Sequence, residues 1–345
     1  MKRDLLTIEA LTDFHFLYQS AHKAYKSKRW SNGQLKASAS LHFMMNLEDE
    51  LVRLKREILN GVYQPGEFNH FWICDRKPRF ISAAPFRDRV VHHALTHLMH
   101  KRLDRYADAH SYACRAKYGL HKAVRYCQTQ CRRYPWSLRL DIAHYFENIP
   151  HEALKKQVRR LFKGNQVLRI VDQFIEHAPQ GCAQGRGIPI GNLTSQHFAN
   201  MYLGQLDHAI RQNCDLSAYL RYMDDLVFFG KSKKELDEVH TFVAHYLWKF
   251  MKLNLKSSAT LLSPTRLGVP FLGFRIFPHY IRFDRSRMKR YRRKRRMLDR
   301  LSKKVGYEET VRVRSEALSA WAKVADTYTM RRRHAERVNT KDRKQ

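Results

Sequence analysis

The stretch Tyr219-Leu-Arg-Tyr-Met-Asp-Asp-Leu-Val-Phe-Phe229 sets apolar and β-branched residues on both sides of a tight polar tip. That pattern reads as two short strands joined by a turn that carries Asp224 and Asp225. Adjacent carboxylates at the tip of a buried hairpin repel each other and resist desolvation, and a divalent cation relieves both costs. A solvated Asp-Asp turn is the alternative, because Asp is favoured in turns for its own local hydrogen bonding. A third carboxylate separates the two readings. Trp136-Ser-Leu-Arg-Leu-Asp-Ile brings Asp141 to the end of an apolar run, where Arg139 and His144 are its only local partners. If Asp141 lies on a strand beside the hairpin, three carboxylates converge on a hard-cation site suited to Mg²⁺.

Tyr222-Met-Asp-Asp, with Asp141-x-x-x-Tyr145-Phe146 upstream, resembles the palm of reverse transcriptases. Other segments resemble the same family in the same order, over roughly residues 45 to 300. Lys77-Pro-Arg-Phe-Ile and Pro85-Phe-Arg-Asp-Arg-Val-Val resemble its first finger motif, and Ser111-Tyr-Ala-Cys-Arg with Tyr118-Gly its second. Val269-Pro-Phe-Leu-Gly-Phe resembles the primer grip. The resemblance implies an α+β right-hand polymerase with fingers, a palm of antiparallel sheet packed on helices, and a helical thumb. Residues 1–137 would then be N-terminal helices and fingers, 138–281 the palm with a finger insertion near 150–188, and 282–345 a basic helical thumb and tail.

Lys and Arg number 65 against 32 Asp and Glu in 345 residues, a net charge of +33 that points to a polyanionic partner. A simple basic nucleic-acid-binding protein does not explain a 43% hydrophobic fraction or carboxylates set in apolar strands. Six scattered cysteines lack zinc-finger spacing, and the chain reads as cytosolic and reduced. No apolar run approaches membrane-spanning length. After the thumb, no segment is left for an RNase H, integrase or endonuclease activity.

Along the chain, residues 5–45 carry helical patterning. Asn46 then caps an amphipathic helix through Leu47, Leu51, Leu54 and Ile58, with Gly61 just past its end. Strands around Phe71-Trp-Ile and Arg79-Phe-Ile form a finger hairpin. Asp88 to Leu103 is a helix whose His93, His97 and His100 read as a polar, RNA-facing surface rather than a metal site. His151 to His177 is helical, Asn192 or Thr194 caps the next helix, and Phe198, Tyr202 and Leu206 face the core. Lys231 to Lys252 is helical as well.

The family resemblance assigns roles to particular positions. Asp141, Asp224 and Asp225, with the Ile142 backbone carbonyl, would hold two Mg²⁺ ions, and Mn²⁺ is a possible substitute. Lys77, Arg79, Phe146 and Gly191 would meet the incoming nucleotide, Arg79 holding phosphate with its planar donor fork. Phe146 lies five residues after Asp141, where an aromatic ring excludes a 2′-hydroxyl. Arg115 and Lys117 belong to a loop near template and nucleotide. The palm motif after Leu253 carries Ala259 where the family commonly has lysine, leaving Lys256 as a candidate general acid. From Arg285 to Leu298, nine of fourteen residues are basic, and Arg285, Lys289, Arg292, Arg293 and Arg296 would track the duplex backbone.

One departure points to a subtype. Most reverse transcriptases read Gln-Gly-x-x-x-Ser-Pro where this chain has Ile190-Gly191-Asn192-Leu-Thr-Ser195-Gln196. This pattern, and Ala83-Ala-Pro-Phe-Arg-Asp-Arg-Val-Val-His-His-Ala-Leu, resemble diversity-generating retroelement enzymes. Those copy a template-repeat RNA into cDNA with errors at template adenines, together with a basic accessory variability protein. Ile190 and Arg79 then become fidelity positions. Ile190 removes an amide from beside the templating pair, leaving discrimination more to shape. An accurate bacterial reverse transcriptase of the retron, group II intron or phage-defence kind is the first rival reading. An RNA-binding scaffold with a vestigial site is the second. Template RNA, RNA/cDNA duplex and dNTPs are the expected partners, in the cytoplasm of a bacterium or from a phage.

Overall fold

Residues 3–28, 37–74, 78–179, 181–302 and 306–326 are described in a computed structural model of the chain. In chain order the first elements are β1 (Asp4–Leu5), α1 (Ile8–Thr12), α2 (Phe14–Lys28), α3 (Ala37–Met45), α4 (Leu47–Leu59), β2 (Asn69–Cys74), β3 (Pro78–Ala83), α5 (Phe86–Tyr106) and α6 (Leu120–Arg133). Next come β4 (Trp136–Leu140), α7 (Tyr145–Asn148), α8 (His151–Leu161), β5 (Phe162–Lys163), α9 (Asn165–Glu176), α10 (Leu193–Tyr202) and α11 (Gly204–Asn213). The remainder is β6 (Ala218–Tyr222), β7 (Asp225–Gly230), α12 (Lys233–Tyr246), β8 (Leu261–Pro264), β9 (Val269–Phe271), β10 (Phe274–Ile276), β11 (Ile281–Phe283), α13 (Arg285–Leu301) and α14 (Glu308–Ala322). This is the expected α+β class with antiparallel sheet. The chain divides into two compact units, one of Met1–Arg115, Ile142–Cys214 and Phe242–Leu255, the other of Ala116–Asp141, Asp215–Thr241 and Lys256–Gln345.

The first unit is mainly helical. α4 buries Leu51, Leu54 and Ile58 as their spacing requires, and α10 and α11 bury Phe198, Tyr202 and Leu206. Asn46 does not cap α4, however. Its amide donates back to the His42 carbonyl at 3.0 Å, because α3 runs up to it and offers that acceptor. The helical stretch at residues 5–45 is also divided. β1 is extended, and Asp13 starts α2 by accepting from the Phe16 amide at 2.8 Å.

Residues 151–177 are not one helix. α8 ends at Leu161, and β5 pairs in parallel with β1 before α9 begins. The Leu6 amide donates to the Lys163 carbonyl at 2.8 Å, and Gly164 follows at φ 122 with the Leu6 carbonyl oxygen 2.0 Å from where a Cβ would stand. Only glycine fits so close an approach. The contact that breaks the helix comes from far upstream in the chain.

The second unit is built on a four-stranded antiparallel sheet in the order β6-β7-β4-β8. Strands β11-β10-β9 form a smaller antiparallel sheet, and Cys131 of α6 donates its thiol to the Ile276 carbonyl at 3.8 Å. Asp284 caps α13 by accepting from the Arg287 amide at 2.7 Å, and Tyr291 and Leu298 bury one side of that helix. No helix among the described residues is long and apolar enough to cross a membrane.

Candidate active site

The candidate residues fall into two groups, one in each unit. In the second unit, register decides the geometry. Leu140 of β4 pairs with Leu226 of β7, so continuing the ladder by one step sets Asp141 opposite Asp225. Directly opposed residues project to one face, which gives Asp141 and Asp225 a common face at one end of the sheet. Tyr222 pairs with Asp225, leaving Met223 and Asp224 as the two-residue tip. Asp225 is thus the first residue of a strand rather than part of the turn. Met223 takes φ 55, an uncommon conformation for a side chain that is neither Gly nor Asn. The fully buried Arg221 guanidinium donates to the Met223 carbonyl at 3.1 Å and braces the tip from behind.

Neither local partner expected for Asp141 serves it. Arg139 donates from Nε at 3.0 Å and Nη2 at 2.6 Å to Asp225 Oδ1. Residues diagonal across antiparallel strands come within reach of a long side chain, whereas Arg139 and Asp141 follow one another along a single strand. His144 pairs with Glu147 at 2.8 Å, where the helical turn of α7 brings the two together. Asp141 is held through its backbone, its carbonyl accepting from the Lys256 amide at 2.8 Å. The candidate general acid therefore adjoins Asp141 in space.

The carboxylates and nearby carbonyls are hard oxygen donors, which suits a divalent cation. Asp141, Asp224 and Asp225 are each half-buried, and Arg139 already balances Asp225. No group of three His, Cys, Asp or Glu side chains among the described residues is drawn together as a ready-made metal cluster. Asp141 and Asp225 share a face at the end of the sheet and Asp224 adjoins them at the hairpin tip, so these three are the candidate ligands.

In the first unit, the loop before α10 is fastened to the finger hairpin. The Ser82 amide donates to the Ile190 carbonyl at 3.0 Å, and the Ala84 amide donates to Asn192 Oδ1 at 3.0 Å. Asn192 thus anchors the loop sideways, and does not cap α10; Thr194 bonds His92 Nδ1 at 2.8 Å instead. Gly191, at φ 122, leaves 2.7 Å between Ile81 Cγ2 and the position of a Cβ. Arg79 and Ile81 alternate onto the same face of β3, so Arg79 shares the face that meets Gly191. The Ile188 amide donates to the Phe146 carbonyl at 2.9 Å. Arg79, Phe146, Ile190 and Gly191 are thereby tied into one framework, with Phe146 and Ile190 half-buried and Arg79 exposed. Ser195 is buried at the start of α10 and Gln196 is exposed, while Lys77 lies outside the described residues.

Removing the Asn192 carboxamide should show how much this anchor matters. Asn192→Ala leaves the buried Ala84 amide without its acceptor and is expected to cost about 1–3 kcal/mol. Urea denaturation checks it, with Asn192→Asp, which keeps an acceptor oxygen, as the comparison.

On the His93, His97, His100 face, His97 and His100 are exposed and His93 is half-buried. α2 packs on this face, with the Phe16 ring 5.0 Å from His97 and Lys23 Nζ 2.9 Å from His97 Nδ1. Burial also pushes His93 down to about 4. Arg115 ties its loop to α5, donating to Asp104 at 2.6 Å and to the Asp108 and Ser111 carbonyls.

The basic side of α13 does match its sequence. Arg285, Lys289, Arg292, Arg293 and Arg296 are all exposed, while Arg287 stacks over Phe274 at 4.0 Å and Arg295 pairs with Asp299 at 3.2 Å.

Residues 74–276, more than half of the chain, match the family described as reverse transcriptase (RNA-dependent DNA polymerase). The chain belongs to that family. This reverse transcriptase is 25% identical to Protein YkfC of Escherichia coli (strain K12) over 282 residues, covering 69% of the chain and 74% of YkfC. It is 21% identical to the group II intron-encoded protein LtrA of Lactococcus lactis over 172 residues, covering 48% of the chain and 29% of LtrA. Among solved structures it is similar to telomerase from Candida tropicalis in complex with a fragment of telomeric RNA, at TM-score 0.49 and 10% identity. That match covers 75% of this chain and 53% of the telomerase, so the chain spans about half the telomerase length. Enzymes of the reverse transcriptase family generally use divalent metal ions.

Proposed function

We propose that this reverse transcriptase copies a template-repeat RNA into cDNA with errors directed at template adenines, for mutagenic diversification of a target gene. The observation that carries this reading is Ile190, an apolar side chain on a loop clamped to finger strand β3 by the Ser82 and Ala84 amides. A clamped loop gives Ile190 a fixed position, and an aliphatic side chain offers a base pair shape without hydrogen bonds. Asp141 and Asp224, with Asp225 and the Ile142 carbonyl assisting, would hold two Mg²⁺ ions. Bound there, such ions would supply charge neutralisation for phosphoryl transfer. Arg139 orients Asp225, Arg221 fixes the hairpin tip, and Lys256 is the candidate proton donor. Phe146 excludes the 2′-hydroxyl of a ribonucleotide, and Arg79 holds the triphosphate.

Similarity to LtrA favours a second reading, an accurate polymerase of the group II intron kind. The two are separated by sequencing cDNA from a defined RNA template made by wild type and by Ile190→Gln. The diversification reading expects wild-type errors gathered at template adenines and a drop of about tenfold in Ile190→Gln. Errors spread evenly over the four bases would favour the accurate enzyme. A basic accessory variability protein is part of the first reading, and two basic proteins would need RNA between them to limit repulsion. The reaction would take place in a bacterial cytoplasm.

α13 would hold the RNA/cDNA duplex by neutralising its phosphates. Replacing Arg292 and Arg293 by Gln should weaken duplex binding and flatten its dependence on log salt by about 0.9 for each phosphate that is no longer neutralised, as an affinity titration over several salt concentrations would show.

A further inference from the structure

α12 does not end as a regular helix. It passes into a π-helical turn, Leu247–Met251, closed by Lys252 at φ 56. Leu247 and Met251 are fully buried, yet Trp248, Lys249 and Phe250 between them all face solvent. Trp248 is 64% exposed and Phe250 58%. The widened turn presents three successive large side chains outward, and such turns gather at functional sites. Phe250 also continues a ladder of rings along the helix, with Phe242 to Tyr246 at 5.9 Å and 28° and Tyr246 to Phe250 at 5.0 Å and 41°.

The charges beside the outer end of this ladder are positive, while the exposed Glu238 stands one helical turn before Phe242 at its other end. Lys249 Nζ lies 5.5 Å from the centre of the Phe250 ring, and Lys249 and Lys252 are both exposed. Burial raises the Tyr246 phenol above its ordinary value, and the exposed Arg160 of α8 lies close enough to oppose that rise in part. From Val239 to Phe283 the sequence contains no Asp or Glu. An occupant must therefore offer flat apolar faces and negative charge together. Unpaired RNA has both, with bases to stack and phosphates to neutralise. A basic protein partner would meet like charge here.

We propose that Phe242, Tyr246 and Phe250 form one stacking face for unpaired bases of RNA and Trp248 a second on the other flank of Lys249, with Lys249 and Lys252 holding the adjoining phosphates. This goes beyond the polymerase reading, and binding can be measured without primer, nucleotide or metal. The experiment is fluorescence anisotropy of a short labelled, unstructured RNA with the full chain at fixed salt. Wild type is compared with Trp248→Ala/Phe250→Ala, Trp248→Phe/Phe250→Tyr and Lys249→Gln/Lys252→Gln.

The alanine pair should bind at least about fivefold more weakly, the aromatic pair should recover most of the affinity, and the lysine pair should show a shallower salt dependence. Both rings are exposed, so thermal unfolding should barely change in the alanine pair, which separates a binding defect from a folding defect. Unchanged RNA affinity in the alanine pair overturns the platform, even if the Arg292→Gln/Arg293→Gln chain shows that RNA is bound elsewhere. Unchanged affinity together with loss of self-association in sedimentation would assign the patch to a second copy of the chain.

Discussion

Asp224→Asn is expected to lower cDNA synthesis by about three powers of ten or more. The substitution keeps the size of the side chain and removes the charge that a hard cation requires. Charge stabilisation by a bound metal is worth several kcal/mol at a phosphoryl transition state, and each ~1.4 kcal/mol is a factor of ten. Asp224 sits at the tip of the hairpin, half-buried, while Arg221 and the β6–β7 ladder hold the backbone, so the fold should persist. Abolished synthesis by a chain that still folds is the expected pair of results. Asp225→Asn should add a loss of stability. The Asp225 carboxylate is engaged with Arg139 through two short hydrogen bonds, and its replacement leaves a partly buried guanidinium without its counter-charge.

Gly191→Ala is the second large expected effect. At φ 122 an alanine is strained by about 1–3 kcal/mol. Its Cβ would also stand 2.7 Å from Ile81 Cγ2, so the finger strand or the loop must move. Movement of either separates Ile190 from the Ser82 amide that fixes it. Synthesis should fall at least about tenfold, since misplacement by about 1 Å can cost two powers of ten. Adding Ile81→Ala removes the collision and leaves the backbone strain, so the double variant should recover only part of the rate. Full activity in the single variant, read by steady-state primer extension, would show that the loop is not held as described.

The β6–β7 hairpin with its Asp-Asp segment was legible because its evidence is local. A period-two apolar pattern with a polar tip has few alternatives, and the cost of a carboxylate ending an apolar strand predicts company for Asp141. The basic face of α13 was legible for the same reason, since charge and helical spacing decide exposure together. What sequence misread was settled by contacts between distant residues. Arg139 lies two residues from Asp141 in sequence, but cross-strand register brings it to Asp225. Asn192 has the composition of a helix cap, but the Ala84 amide at the end of the finger strand outcompetes the helix for its oxygen. The break at Gly164 depends on Leu6, and the partners of the still exposed His97 are Phe16 and Lys23 of α2. Arg221 carried one usable signal, a cation on an otherwise apolar strand, which demands a buried acceptor such as the Met223 carbonyl.

The most direct measurement is extension of a DNA primer on a defined RNA template by the full chain, with dNTPs, across a Mg²⁺ titration and with a chelator as the blank. Full-length cDNA that appears with Mg²⁺ and disappears with the chelator, and that is absent from Asp141→Asn, is the result expected if Asp141 and the Asp224-Asp225 hairpin at the end of the β6-β7-β4-β8 sheet hold the catalytic ions. Synthesis that persists in the chelator, or that survives in Asp141→Asn at the wild-type rate, would contradict it.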